Sequence, residues 1–131
     1  MLEKVQIVIL KELDDTLFAL LLQTNKSRGG FWQNITGSVE SDDLNTKNAA
    51  IREVLEETGL FLLKDQVYDL NSSFTYENIN KNLIFKEYVY YAIIDDSSNI
   101  KISNEHDSFK WKPTTLITEL DSAPRELKQS Q

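Results

Sequence analysis

The residues predict an α/β or α+β domain built on a mixed β-sheet. Three features point to it: strand-like apolar runs near the N-terminus, helical spacing between Thr46 and Thr58, and strand-like runs again beyond Val67. Val5, Ile7 and Ile9 alternate with other residues in KVQIVIL, and Leu17–Leu22 form a second apolar run after the polar stretch Lys11–Asp15. This reads as two strands and a turn. The unbroken apolarity of Phe18–Leu22 predicts a strand covered on both faces. Thr24–Gly30 is expected as a polar loop holding Lys26, Arg28 and two glycines. The helix over Thr46–Thr58 ends at Gly59, which is placed as its C-cap. Val67–Tyr76 and Leu83–Ile94 are expected as strands joined by the turn-rich Glu77–Asn82, and Thr114–Leu120, after Pro113, as a short C-terminal helix. The final PRELKQSQ is expected as a loose tail. No repeat, linker or low-complexity block divides the chain, so a single domain over residues 1–131 is expected.

The chain carries 14 Lys+Arg and 21 Asp+Glu, a net charge of −7, with 40% hydrophobic residues and no cysteine. That content suits one buried core rather than a disordered polyelectrolyte. The lack of cysteine excludes disulfides, thiolate zinc sites and a thiol nucleophile, so a metal would use oxygen or the one histidine. A cytoplasmic location is expected. No apolar run approaches the ~18–20 residues of a membrane span, and MLEKVQIVILKELDD lacks the basic start and cleavage site of a secretion signal. An acidic balance disfavours non-specific binding to nucleic acid or a membrane surface. The acidity is also uneven. Gly37–Leu60 contains six acids (Glu40, Asp42, Asp43, Glu53, Glu56, Glu57) and two bases (Lys47, Arg52), giving −4 against −3 for the rest.

At about 100° per residue, placing Glu53 at 0° puts Glu57 near +40° and Glu56 near −60°, three carboxylates within one arc. Ile51, Val54, Leu55 and Thr58 fall between about 100° and 200° and are expected to face the core. Ala49 and Ala50 leave the first turn of the acidic face without bulk, open to a ligand or loop. Arg52 can pair with Glu56 at i,i+4. Taken alone, the acidic face reads either as a solvated stripe or as ligands for a hard divalent cation carrying substrate phosphates.

R-E-V-L-E-E-T-G-L, Arg52–Leu60, resembles the second half of the Nudix hydrolase signature G-x5-E-x7-R-E-U-x-E-E-x-G-U, where U is aliphatic. Five identities by chance are expected on the order of 10⁻⁶ per window. Phe31-Trp32-Gln33 and Thr36-Gly37-Ser38-Val39-Glu40 are similar to the run leading into the box, about 37–60, of bacterial dihydroneopterin triphosphate/dATP pyrophosphohydrolases. Glu105-His106 and Phe109-Lys110-Trp111 resemble that branch's later E-H-x4-W segment. The first-half acid falls on Asp43 rather than Glu, and one extra residue separates it from Arg52; the surplus falls in the loop Asp42–Thr46, before the helix.

The resemblance implies a Nudix-like α/β/α sandwich with a loop–helix–loop motif. It also implies a Mg²⁺-dependent pyrophosphohydrolase, with Mn²⁺ as a substitute, cleaving a nucleoside triphosphate or dihydroneopterin triphosphate to monophosphate and pyrophosphate. Alternatives are dinucleoside polyphosphate hydrolysis and a Nudix-like nucleotide-binding module without turnover, which the loop insertion and Asp43 would favour. By position, Glu53, Glu56 and Glu57 would bind Mg²⁺ and Arg52 would orient Glu56. Gly37 would let the chain turn close to the metal. A further ligand or general base is expected from Glu87, in the strand around Phe85–Tyr91, or from Glu105. Arg28, beside two glycines, is the expected phosphate contact. Phe31 and Trp32 read either as core pins or as a stacking surface for a base, and Trp111 as core. His106 reads as a loop residue or a general acid–base group. The expected partner is a small phosphorylated molecule.

Overall fold

The structure, a computed structural model, describes residues 1–95 and 97–114. In chain order its elements are β1 (Leu2–Leu13), β2 (Thr16–Thr24), β3 (Trp32–Gln33), β4 (Ile35–Ser38), α1 (Thr46–Thr58), β5 (Val67–Asn78), β6 (Leu83–Ile93) and β7 (His106–Pro113), with single 3-10 turns at Lys26–Arg28, Lys64–Gln66 and Ile79–Lys81. The strands form one sheet. β1 and β6 run parallel, from Leu2 opposite Phe85 to Leu10 opposite Ile93, and the other pairings are antiparallel. This is the mixed sheet the sequence predicts.

β1 is central, so Val5–Leu10 are buried without a break and Gln6 is enclosed with them. Its two halves have different partners on the side away from β6. Leu10–Leu13 pair with β2 across a tight turn at Asp14 and Asp15, both at positive φ, while Lys4–Ile7 pair with β4. That division places β4 beside α1. Ala19–Leu22 of β2 are buried, as their unbroken apolarity predicts. β3, β4 and β7 carry too little apolar pattern to announce themselves: two residues, a glycine-containing ITGS, and the polar HDSFKWKP. The helix expected at Thr114–Leu120 and the tail lie outside the described residues, apart from Thr114, whose N–H donates to the Leu17 carbonyl.

α1 starts at Asn45, whose side chain accepts from the Asn48 N–H at 2.8 Å, and ends at Gly59 with φ 77°, as its C-cap. Its packing face meets the expectation at Val54 and Thr58, which are buried, and at Ile51, which packs against the core, but not at Leu55. Ala49, Ala50, Glu53, Val54, Glu57 and Thr58 are buried, whereas Leu55 is 44% exposed and Ile51 is half-buried. The two alanines touch the sheet core with Val5, Ile7, Ile9, Leu20 and Leu22. Their small size admits the sheet, not a ligand, and turns the acidic stripe inward over β4. Leu55, with the outer side of Ile51, lines an apolar groove closed by Phe61, Leu62 and Leu63. No helix among the described residues is long and apolar enough to cross a membrane.

Candidate active site

Turning the acidic stripe toward β4 makes a cleft of about 400 Å³ at the sheet edge. Glu53, Glu56 and Glu57 of α1 line it with Gly37 and Glu40, and Lys4, Arg28 and Glu105 bring charge from three other segments. The sequence assembles most of this set. Lys4 it does not indicate, because only the register of Lys4 opposite Ser38 carries that side chain to the cleft.

Arg52 is the brace. Its Nε and Nη2 donate at 3.0 Å each to the two carboxylate oxygens of Asp43, its Nη2 reaches the Ser38 carbonyl at 2.8 Å, and its Nη1 lies 3.0 Å from Glu56 Oε1. The expected i,i+4 pairing of Arg52 with Glu56 is thus present. Asp43 also accepts from the Glu40 N–H at 2.8 Å, so the loop closes on itself before the helix begins. The extra residue is absorbed there. The Asp43 carboxyl is held below its usual range, chiefly by the Arg52 guanidinium, and Arg52 is raised in turn.

Glu53 is 9% exposed and lies against Gly37, where an added Cβ would overlap its carboxyl group. Gly37 therefore supplies space rather than a turn: it is a strand residue opposite Val5 without positive φ. Burial pushes the Glu53 carboxyl up to about 7, and Glu56, Glu57 and Glu105 add to this, while Arg52, 3.4 Å away, pulls the other way. Glu57 is equally enclosed at 6% exposure. Burial raises its carboxyl, but His106 and Glu105 outweigh that and leave it below its ordinary value. His106 Nδ1 is 2.7 Å from Glu57 Oε2, which sets His106 against the helix rather than loose in a loop.

Glu105 is exposed at the cleft mouth, 3.5 Å from Arg28 Nη2. Glu87 is not among the cleft-lining residues. It lies opposite Lys4 and Phe74 in the sheet, 1% exposed, with its Oε1 accepting from the Tyr76 hydroxyl at 3.3 Å. Phe31 is no core pin: it is 63% exposed, stacked over the place a Gly29 side chain would take, beside Arg28. Trp32 lies under the Lys110 ammonium at 4.2 Å, and Trp111 packs against the core as expected.

No three acidic or histidine side chains among the described residues already converge on one cation position. The donor chemistry nevertheless fits a hard divalent ion. The three α1 donors are all carboxylate, they share one cleft, and Glu53 is enclosed with too little positive charge to keep its carboxyl in the ordinary range.

Residues 3–130 match the NUDIX domain family. The chain belongs to the Nudix family. Among curated proteins it is 31% identical over 115 residues to an octanoyltransferase of Myxococcus xanthus, covering 86% of this chain but 31% of that protein. It is 32% identical over 108 residues to an uncharacterized Nudix hydrolase, YvcI, of Bacillus subtilis, covering 80% and 64%. The chain thus spans less than two thirds of both. A dihydroneopterin triphosphate diphosphatase of Haemophilus influenzae is 29% identical over 115 residues, with 81% and 72% covered. Among solved structures, the dihydroneopterin triphosphate pyrophosphohydrolase of E. coli superposes with a TM-score of 0.74 at 22% identity, over 98% of this chain and 90% of that one. A C. elegans Ap4A hydrolase complex gives 0.71 at 24%, over 86% and 80%. These two establish a shared Nudix fold. The segment that resembles the Nudix box, about 37–60, contributes Gly37, Glu40 and the three α1 glutamates to the cleft.

Proposed function

We propose that this Nudix chain is a Mg²⁺-dependent pyrophosphohydrolase of a nucleoside triphosphate, such as dATP, or of dihydroneopterin triphosphate. The observation that carries the reading is that one cleft gathers three helical carboxylates and, from other elements, Lys4 and Arg28. Carboxylates and cations together suit a metal-bound polyphosphate better than either set alone. The relatives described as acting on dihydroneopterin triphosphate support the choice of substrate class.

Glu53, Glu56 and Glu57 would hold Mg²⁺, which supplies charge neutralisation at the phosphates and a more acidic attacking water. Arg28 and Lys4 take the phosphate oxygens away from the carboxylates. Glu105, exposed at the mouth, takes the proton from water as its oxygen bonds to phosphorus. The bridging P–O bond breaks, and pyrophosphate and the monophosphate leave. Arg52 and Asp43 touch none of the reacting atoms and keep Glu56 in place. Asp43 reaches Arg52 despite the insertion, which supports an intact loop and with it the turnover reading over a binding module.

The test is incubation with dATP, other nucleoside triphosphates, dihydroneopterin triphosphate and a diadenosine polyphosphate, with Mg²⁺ or with EDTA. Pyrophosphate released only with Mg²⁺ from a triphosphate is the expected result. Product from the diadenosine compound alone selects dinucleoside polyphosphate hydrolysis, and no Mg²⁺-dependent product from any of them sinks the enzyme reading.

A further inference from the structure

We propose that His106 is a positioning residue that fixes the carboxylate of Glu57 for cation binding. The inference rests on the reading of the cleft as a Mg²⁺ site. Each of the other two helical carboxylates has its own restraint: Glu56 is forked by Arg52, and Glu53 is wedged over Gly37. Glu57 has His106. Their side chains are each 8% exposed, and Nδ1 and Oε2 lie 2.7 Å apart, close but off the line of an ideal hydrogen bond. Neither atom makes a hydrogen bond as the ring stands, and facing lone pairs at that distance would repel, so the role proposed requires a proton on Nδ1 and a small turn of the ring that aims it at Oε2. The imidazole then donates to one oxygen of the carboxylate and leaves the other for the cleft.

The contact is held by the backbone on both sides. The segment leading into β7 is tied to the end of α1, with Lys101 N–H donating to the Thr58 carbonyl at 2.8 Å and Ser103 N–H to the Glu57 carbonyl at 3.1 Å. Asn25, at the end of β2, grips the same segment through its N–H to the Glu105 carbonyl and its side-chain amide to the Asn104 carbonyl. His106 itself is the first residue of β7, registered opposite Thr24. Three elements therefore aim one imidazole at one carboxylate. Hydrogen-bond partners of metal-binding side chains set the orientation of the ligand, and their loss costs about 10–100-fold in metal affinity.

The experiment measures Mn²⁺ binding to the full chain by electron paramagnetic resonance, without substrate, for wild type, His106→Leu and His106→Asn. The Leu variant is expected to bind about 10–100-fold more weakly with an unchanged circular dichroism spectrum, while Asn, whose amide N–H falls near the place of Nδ1, keeps most of the affinity. In a Glu57→Gln background the Leu change should add nothing. Equal affinity for wild type and Leu, or equal losses for Leu and Asn, overturns the proposal. Should the Leu variant lose its fold, the wild type decides. It has a single histidine, so a long-range ¹H–¹⁵N spectrum reports His106 alone: a proton on Nδ1 is expected, and a proton on Nε2 only overturns it. A wild type that binds no Mn²⁺ removes the cleft reading and this inference with it, whereas a binding wild type with indifferent variants removes this inference alone.

Discussion

Gly37 and Glu53 compete for one volume, and the site depends on the glycine yielding it. A Gly37→Ala change would set a methyl group where the Glu53 carboxyl lies. Retreat of the strand would break its pairing with β1 and retreat of the helix would open the Ala49–Ala50 seam against the sheet, so Glu53 must move. Turnover is expected to fall at least about tenfold, checked against a thermal melt to separate it from unfolding. Glu57→Gln leaves the shape intact and removes the charge; turnover is expected to drop about 10²-fold or more. Near-normal turnover would remove Glu57 from the site. Asp43→Ala should cost about 1–3 kcal/mol in a denaturant titration, since it strips the fork from a guanidinium with 23% side-chain exposure. At this scale the sequence names the acids well and explains them poorly. The motif marks Gly37, but its purpose comes from a side chain sixteen residues away, and the pairing of Asp43 with Arg52 depends on a loop path that spacing alone misplaces.

The helix shows the same limit one level up. Its ends are legible, because Asn45 and Gly59 are local signals read by the backbone itself. Its buried face is legible only in part: Val54 and Thr58 lie inside as the wheel has them, but so do Glu53 and Glu57. A wheel ranks side chains by polarity and puts Leu55 inside and Glu53 outside, but α1 packs where Ala49 and Ala50 let the sheet approach most closely, and that seam runs through the acids. The apolar residues left over face the groove with Phe61 and Leu63. Two substitutions separate the alternatives. Val54→Ala, at 0% exposure, should cost about 1–3 kcal/mol, and Leu55→Ala less than about 1 kcal/mol. Comparable losses in urea melts would restore the wheel's assignment. The central strands were readable for the opposite reason: unbroken apolarity in β2 depends on two covered faces and little else.

Across the whole molecule, burying acids in a chain of net charge −7 links folding to protons and metal. The Glu53 carboxyl is raised from 4.5 to about 7, so in this interval the folded state holds a proton that the unfolded state has lost. The stabilisation is full below pH ~4.5 and fades as pH rises through ~7, a loss of about 3 kcal/mol. Asp43 and Glu57, both lowered, act in the other sense: their contribution is present above their unfolded values and is lost only as strong acid protonates them in the folded state. Between pH 5 and 8, then, Glu53 sets the slope. In EDTA the melting temperature is expected to fall across that range, and Glu53→Gln, neutral throughout, should flatten the fall. At the proposed metal site a divalent cation would replace the proton as the partner of the ionised carboxylate, so Mg²⁺ should raise the melting temperature more at pH 8 than at pH 5. Parallel profiles for wild type and Glu53→Gln in EDTA would show that the buried carboxylate does not carry the linkage. A Mg²⁺ effect equal at both pH values would separate the metal from Glu53. If the cleft binds as proposed, the acidity that repels a bare polyphosphate is also what admits one arriving with its metal.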